Sequence, residues 1–151
     1  MEQDSEGDAA MRCVAVIDRA LPKGKAANAA AVMALSLGGR QPQLIGEPLV
    51  DAGGTAHVGL IPIGIPVLGA PAEDLPRLCA KARAAGIEVV DFPVQGQETT
   101  DYGRFRSLVA ATAGAELRYL GVMLYGERRK VGRLVGRYRL LANEPAAGQG
   151  A

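Results

Sequence analysis

The chain has a single histidine and two cysteines in 151 residues, and that scarcity removes several chemistries at once. One imidazole, His57, excludes a multi-histidine metal centre, and two distant cysteines do not supply a zinc site. Nothing in the sequence asks for a metal or a cofactor. Cys13 lies in a strand-like apolar run and Cys79 among helical apolar positions, so both read as small buried hydrophobes and not as a disulfide framework. A reducing cytoplasm is the compartment this suggests. Burial also makes Cys13 a poor nucleophile, because it raises a thiol's pKa. Aromatic residues are only 4% of the chain, which argues against base stacking as a way of holding nucleic acid. No apolar stretch approaches the ~20 residues of a membrane-spanning helix, and the acidic first residues do not resemble a signal peptide. No G-x-S-x-G elbow accompanies His57, and Ser36 and Ser107 fall within predicted helices, so a serine hydrolase triad has little support.

What is present points to a layered α/β domain. The chain is 48% hydrophobic, enough for one substantial core and too short for two comfortable domains. Its 17 basic and 16 acidic side chains nearly balance, so any polyanion contact must come from a local patch. Residues 1–10 are acidic and polar, and residues 143–151 are rich in Ala, Gly and Gln; both read as loosely held tails around a domain at 11–142. Cys13 to Ile17 is a continuous apolar run of strand length, predicting a strand covered on both faces. An alanine-rich helix follows over about Lys25 to Leu37, with Gly38 and Gly39 as its stop signal. Three prolines, Pro48, Pro62 and Pro66, punctuate the next segment. There Asp51 to Gly54 is turn chemistry, predicting a hairpin and then an extended segment. A second helix follows Glu73 and Asp74, with Leu75, Leu78, Cys79 and Ala82 on one face and Gly86 as its end. Ile87 to Phe92 reads as a strand. A helix capped by Thr99 or Thr100 and ending at Gly114 comes next, then a strand over Leu117 to Tyr125. The last segment, Gly126 to Leu141, carries six of the 17 basic residues beside Val131, Leu134, Val135 and Tyr138 at helical spacing. It predicts a short helix of one or two turns. Together these give a three-layer α/β/α arrangement around a mixed sheet.

The richest stretch for chemistry is the strand-to-helix junction at Lys23-Gly24-Lys25. Two ammonium groups stand there at a helix N-terminus, whose unpaired N–H groups and dipole favour an anion. An ordinary solvated loop is the plainer reading. The turn matches neither G-x-G-x-x-G nor G-x-x-x-x-G-K-[ST]. Asn28, a polar residue inside the alanine run, either bonds a neighbouring loop or polarises a carbonyl or water. His57 and Asp101 are candidate bases, set against surface and helix-capping roles. Thr99 and Thr100 with Asp101 either start a helix or line a site. The basic C-terminal segment, including Lys130, is either a solvated face or a phosphate-binding patch.

The Leu21 to Ala27 segment resembles the peptidyl-tRNA hydrolases of the archaeal and eukaryotic type, in which the first strand leads into a Lys-Gly-Lys turn and a small-residue helix. Most of the chain is similar to an uncharacterised family, domain of unknown function 2000, thought to share that fold. Ala27 to Ala30, Asp51 to His57, Thr100 to Tyr102, Tyr119 to Gly126, Arg129 to Val131 and Leu134 to Gly136 carry this likeness. The resemblance implies Lys23 and Lys25 as anion contacts, an anionic small molecule or RNA as partner, hydrolysis of an ester of RNA or a phosphorylated carrier, and a homodimer. The hydrolase helix carries glutamine and histidine after its basic turn; here Asn28 comes one position early and Val32 stands in place of the histidine. The alternative is a non-catalytic homodimeric module for a small ligand or a protein.

Overall fold

The computed structural model describes residues 10–142, so the tails expected on either side lie outside the described residues. Five strands form the main sheet: β1 (Met11–Asp18), β4 (Val67–Ala70), β5 (Glu88–Pro93), β6 (Tyr119–Glu127) and β7 (Arg139–Leu140), in the order β5-β6-β1-β4-β7. β1 pairs parallel with β4, while β6 runs antiparallel to both β1 and β5, and β7 antiparallel to β4. The sheet is therefore mixed, with β1 at its centre.

The apolar run of β1 is buried on both faces, as its continuity predicts. Cys13, Ala15 and Ile17 face α1 (Lys23–Arg40), against Ala26, Ala29, Met33 and Leu37. Val14 and Val16 face the other side, against α2 (Leu75–Ala84) and α4 (Arg128–Val135). Alanines on the sheet side of α1 let its backbone approach closely. Gly121 of β6 serves the same purpose, since a Cβ there would lie 2.8 Å from Ile17 Cδ1 and 2.9 Å from Met33 Cε. Helices on both faces complete the three layers. Among the described residues, no helix is long and apolar enough to cross a membrane.

Several boundaries differ from the sequence expectation, and the helix expected to run to Gly114 ends at Ala110. α1 starts at Lys23 and runs through Gly38 and Gly39 to Arg40. The glycine pair does not stop it, because buried Leu37 anchors the last turn and Arg40 pairs with Glu88 of β5. α3 (Tyr102–Ala110) is capped by Asp101, whose carboxylate accepts from the Arg104 N–H at 3.2 Å; Thr99 instead accepts from the Asp101 N–H at 3.0 Å. The last long strand begins two residues later than expected, at Tyr119, because a 3₁₀ turn occupies Gly114–Glu116.

The predicted hairpin forms as β2 (Leu49–Val50) and β3 (Ala56–His57), a separate two-stranded sheet. Asp51 Oδ1 accepts from the N–H groups of Gly53 and Thr55 at 2.9 and 3.0 Å, and Gly54 takes the positive φ that the turn needs. The other carboxylate oxygen lies 2.9 Å from His57 Nε2. The His57 contact, then the Thr55 amide, hold the Asp51 carboxyl below its ordinary range.

Candidate functional site

The chain leaves β1 for α1 on one face of the sheet and leaves β4 for α2 on the other face. The two strands are parallel neighbours. Their exits therefore diverge, which opens a crevice at their C-terminal ends, the usual ligand position in open α/β sheets. Two cavities of about 480 and 530 Å³ adjoin it, the first on the α2 side and the second along α1, and they share Arg19, Leu140, Leu141 and Ala142 in their walls. The first adds Asp74, Arg137, Tyr138 and Arg139; the second adds Lys23 and the alanines of the first turns of α1.

Each cation reaches the crevice for a local reason. Arg19 follows β1 directly, and its N–H donates to the Ala70 carbonyl at 2.9 Å, which locks the two strand ends together. Lys23 is the first residue of α1, whose N-cap, Pro22, supplies no side-chain hydrogen bond. No acidic residue stands in that first turn, so its N–H groups and two lysines concentrate positive charge. Arg139 lies opposite Gly69 in the β4–β7 pair. A Cβ on Gly69 would press on Leu141 Cδ1 at 3.0 Å and on Arg19 Cβ at 3.2 Å, so this glycine makes room for the crevice wall.

Among the described residues one carboxylate lines these cavities, and it is already engaged. Asp74 Oδ2 accepts from Arg137 Nη2 and from Tyr138 Oη, both at 2.9 Å. The Arg137 guanidinium sits 5.1 Å from the centroid of the Tyr138 ring. Burial pushes the Tyr138 hydroxyl above its ordinary pKa, which keeps it a donor toward Asp74. Arg19, Lys23 and Arg139 have no ion pair among the described residues. The crevice is thus a wall of unneutralised cations over an apolar floor, suited to an anion.

The residues singled out from the sequence do not all meet. Lys23 lines the crevice, with Gly24 and Lys25 beside it in the same exposed turn. Gly24 needs no space of its own, since a Cβ there would meet nothing within 4 Å. Asn28 lies about 140° around the helix from Lys23 and lines a different cleft, between α1 and α3. Lys25 is one turn before Asn28, on that same side. His57 is on the hairpin against Asp51 and lines neither cavity of the crevice. Asp101, with Thr99 and exposed Thr100, sits at the start of α3, also outside the crevice. Lys130 is on α4, its Nζ 3.5 Å from the Ala85 carbonyl at the end of α2, leading toward the N-terminal end of β5. Sequence reasoning missed Arg19, Asp74 and Tyr138. Arg137 and Arg139 were visible only as members of a basic run. The useful signal was a cation directly after the first strand, but Asp74, Arg137, Tyr138 and Arg139 are more than fifty residues away in the chain.

The fold has a counterpart. A solved structure of a protein of unknown function from Agrobacterium tumefaciens is similar, with a TM-score of 0.80 and 17% identity over 87% of this chain and 98% of that one. At that identity the likeness concerns the fold alone. No curated protein matches this chain. The family model described as protein of unknown function DUF2000 matches residues 11–142, the whole span of sheet and helices, and on that match the chain belongs to this family.

Proposed function

We propose that this protein binds a small anionic ligand, a phosphate ester or similar polyanion, in the crevice between the C-terminal ends of β1 and β4. The carrying observation is Arg19, shared by two adjoining cavities, with Arg139 in one and Lys23 in the other, all three without a counterion among the described residues, where the one lining carboxylate, Asp74, is held by Arg137 and Tyr138. Arginine supplies paired donors matched to phosphate oxygens, and the first turn of α1 adds N–H groups. The matching family and the similar structure are both of unknown function, so hydrolysis of a peptidyl-tRNA-like ester rests on the Leu21 to Ala27 resemblance alone. Among the described residues no imidazole, thiol or serine lines either cavity, which favours binding over hydrolysis. Titration calorimetry with inorganic pyrophosphate tests the binding. Saturable binding that weakens as salt rises is expected. Arg139→Ala should lose about 1.5 to 3 kcal/mol, the ordinary value of a hydrogen bond to a charged group. Affinity that ignores both salt and the substitution removes the site. Peptidyl-tRNA should be bound weakly or not at all and not turned over.

A second reading concerns assembly. Leu49 and Val50 are successive residues of β2 and so project to opposite faces of the hairpin, yet both are exposed, with Val58 84% and Leu60 67% exposed beyond the turn. A two-stranded hairpin standing free in water is marginal at best. Five exposed large apolar residues on and beside it, counting Ile45, leave apolar surface on both faces of the hairpin, the kind of surface that marks an interface. A second copy of the chain, presenting the same patch, is the proposed cover. Light scattering should return a dimer at micromolar concentration, and Val58→Asp with Leu60→Asp should return a monomer. A monomeric unsubstituted protein would rule this reading out.

A further inference from the structure

The cleft between α1 and α3, with β5 as its floor, is separate from the cationic crevice and has a volume of about 670 Å³, within the range of small-molecule sites. Its lining is unusual for this chain. The protein has two phenylalanines, four tyrosines and no tryptophan, and both phenylalanines, Phe92 and Phe105, line this cleft together with Tyr102. Phe92 and Phe105 lie 6.3 Å apart, and Tyr102 meets Phe105 edge-on at 6.0 Å. Gly96 is what lets the two phenyl rings close over the backbone. A Cβ there would stand 2.4 Å from Phe92 Cε1 and 3.0 Å from Phe105 Cε2.

Polar groups line the same cleft. Asn28 and Ser36 come from α1 and Arg106 from α3, and none of their side chains has a hydrogen-bond or ionic partner among the described residues. The one carboxylate in the lining, Asp91, is bound on the other face of the sheet by Arg83 at 2.8 Å, so it does not neutralise Arg106. A guanidinium offers a planar fork that fits a carboxylate with two parallel hydrogen bonds, and offset or edge-on aromatic contacts favour a flat ring.

We propose that this cleft binds a small planar aromatic acid, its ring against Phe92, Phe105 and Tyr102, its carboxylate on Arg106, and a ring substituent within reach of Asn28 and Ser36. This gives Asn28, the polar residue in the alanine run, a role as a ligand contact.

The test uses three probes on the full chain, followed by amide chemical shifts and calorimetry: 2-naphthoate, 2-naphthylmethanol, which keeps the ring without the charge, and octanoate, which keeps the charge without the ring. Naphthoate should bind saturably and most tightly, shifting amides of Asn28 to Ser36 and Phe92 to Val109. Arg106→Gln, an exposed position whose fold is verified by an otherwise unchanged amide spectrum, should weaken naphthoate about tenfold or more and leave naphthylmethanol unchanged. Lys23→Ala should leave naphthoate unaffected, which separates this cleft from the cationic crevice. Absence of saturable naphthoate binding up to millimolar concentration would overturn the proposal. So would octanoate binding as tightly, or an affinity that falls with Lys23→Ala and not with Arg106→Gln.

Discussion

Two thiols show how burial sets chemistry at a single residue. Cys13 and Cys79 are each 1% exposed, and both are pushed up to about 11 from an ordinary 9.0, by burial first and, at Cys79, by Asp91 as well. Cys79 Sγ also accepts a hydrogen bond from Arg83 at 2.9 Å. A folded pKa above the unfolded one means that the fold favours the protonated thiol. This contribution is complete below pH 9 and is lost as the pH climbs through the folded value. Burial moves Tyr119 in the same direction. The midpoint of denaturant unfolding should therefore hold steady up to about pH 9 and fall between about 9 and 11, and a profile flat to pH 11 would contradict this. Both thiols should also resist a thiol reagent at neutral pH until the protein is unfolded.

At the scale of elements, apolar periodicity revealed more than punctuation did. The buried run of β1 and the Leu75, Leu78, Cys79, Ala82 face of α2 were legible because burial imposes their spacing directly. Gly38 and Gly39 misled, since a helix end anchored by Leu37 and by the Arg40–Glu88 pair tolerates the modest cost of two glycines. The cap of α3 fell to Asp101 because its extended backbone and carboxylate suit that position better than a hydroxyl one or two residues earlier. The hairpin was legible from Asp51 to Gly54, but the device at its base was not. Gly59 lies so close to Gly46 that a Cβ would fall 1.8 Å from the Gly46 carbonyl oxygen, a long-range contact that no local pattern encodes. Because that neighbour is backbone, Gly59→Ala should cost about 2 kcal/mol or more. Amide exchange should show the loss concentrated between Ile45 and Leu60. Protection unchanged in that segment would mean the two backbones separate at little cost.

For the whole molecule, connectivity decides where chemistry gathers. α1 and α2 lie on opposite faces, so the exits of β1 and β4 part and leave Arg19 between two adjoining cavities, one lined by Arg139 and the other by Lys23. Only Lys23 of these was legible as a site residue, because a charged turn at a helix start has a local signature. Arg19 and Arg139 become neighbours through the parallel pairing of β1 with β4 and the antiparallel return of β7, and strand pairing across more than fifty residues leaves no short-range trace. The same geometry explains why Asn28 and His57, plausible partners of Lys23 in sequence, lie elsewhere: one is turned to another side of α1, the other is carried on the hairpin. The most direct measurement is an amide-shift titration of the full chain with inorganic pyrophosphate. Saturable shifts should centre on Arg19, Lys23, Gly24, Gly69 and Leu141 and disappear in Arg19→Ala with Arg139→Ala, whereas shifts confined to other parts of the molecule, or undiminished in that double variant, would contradict a crevice built to hold an anion.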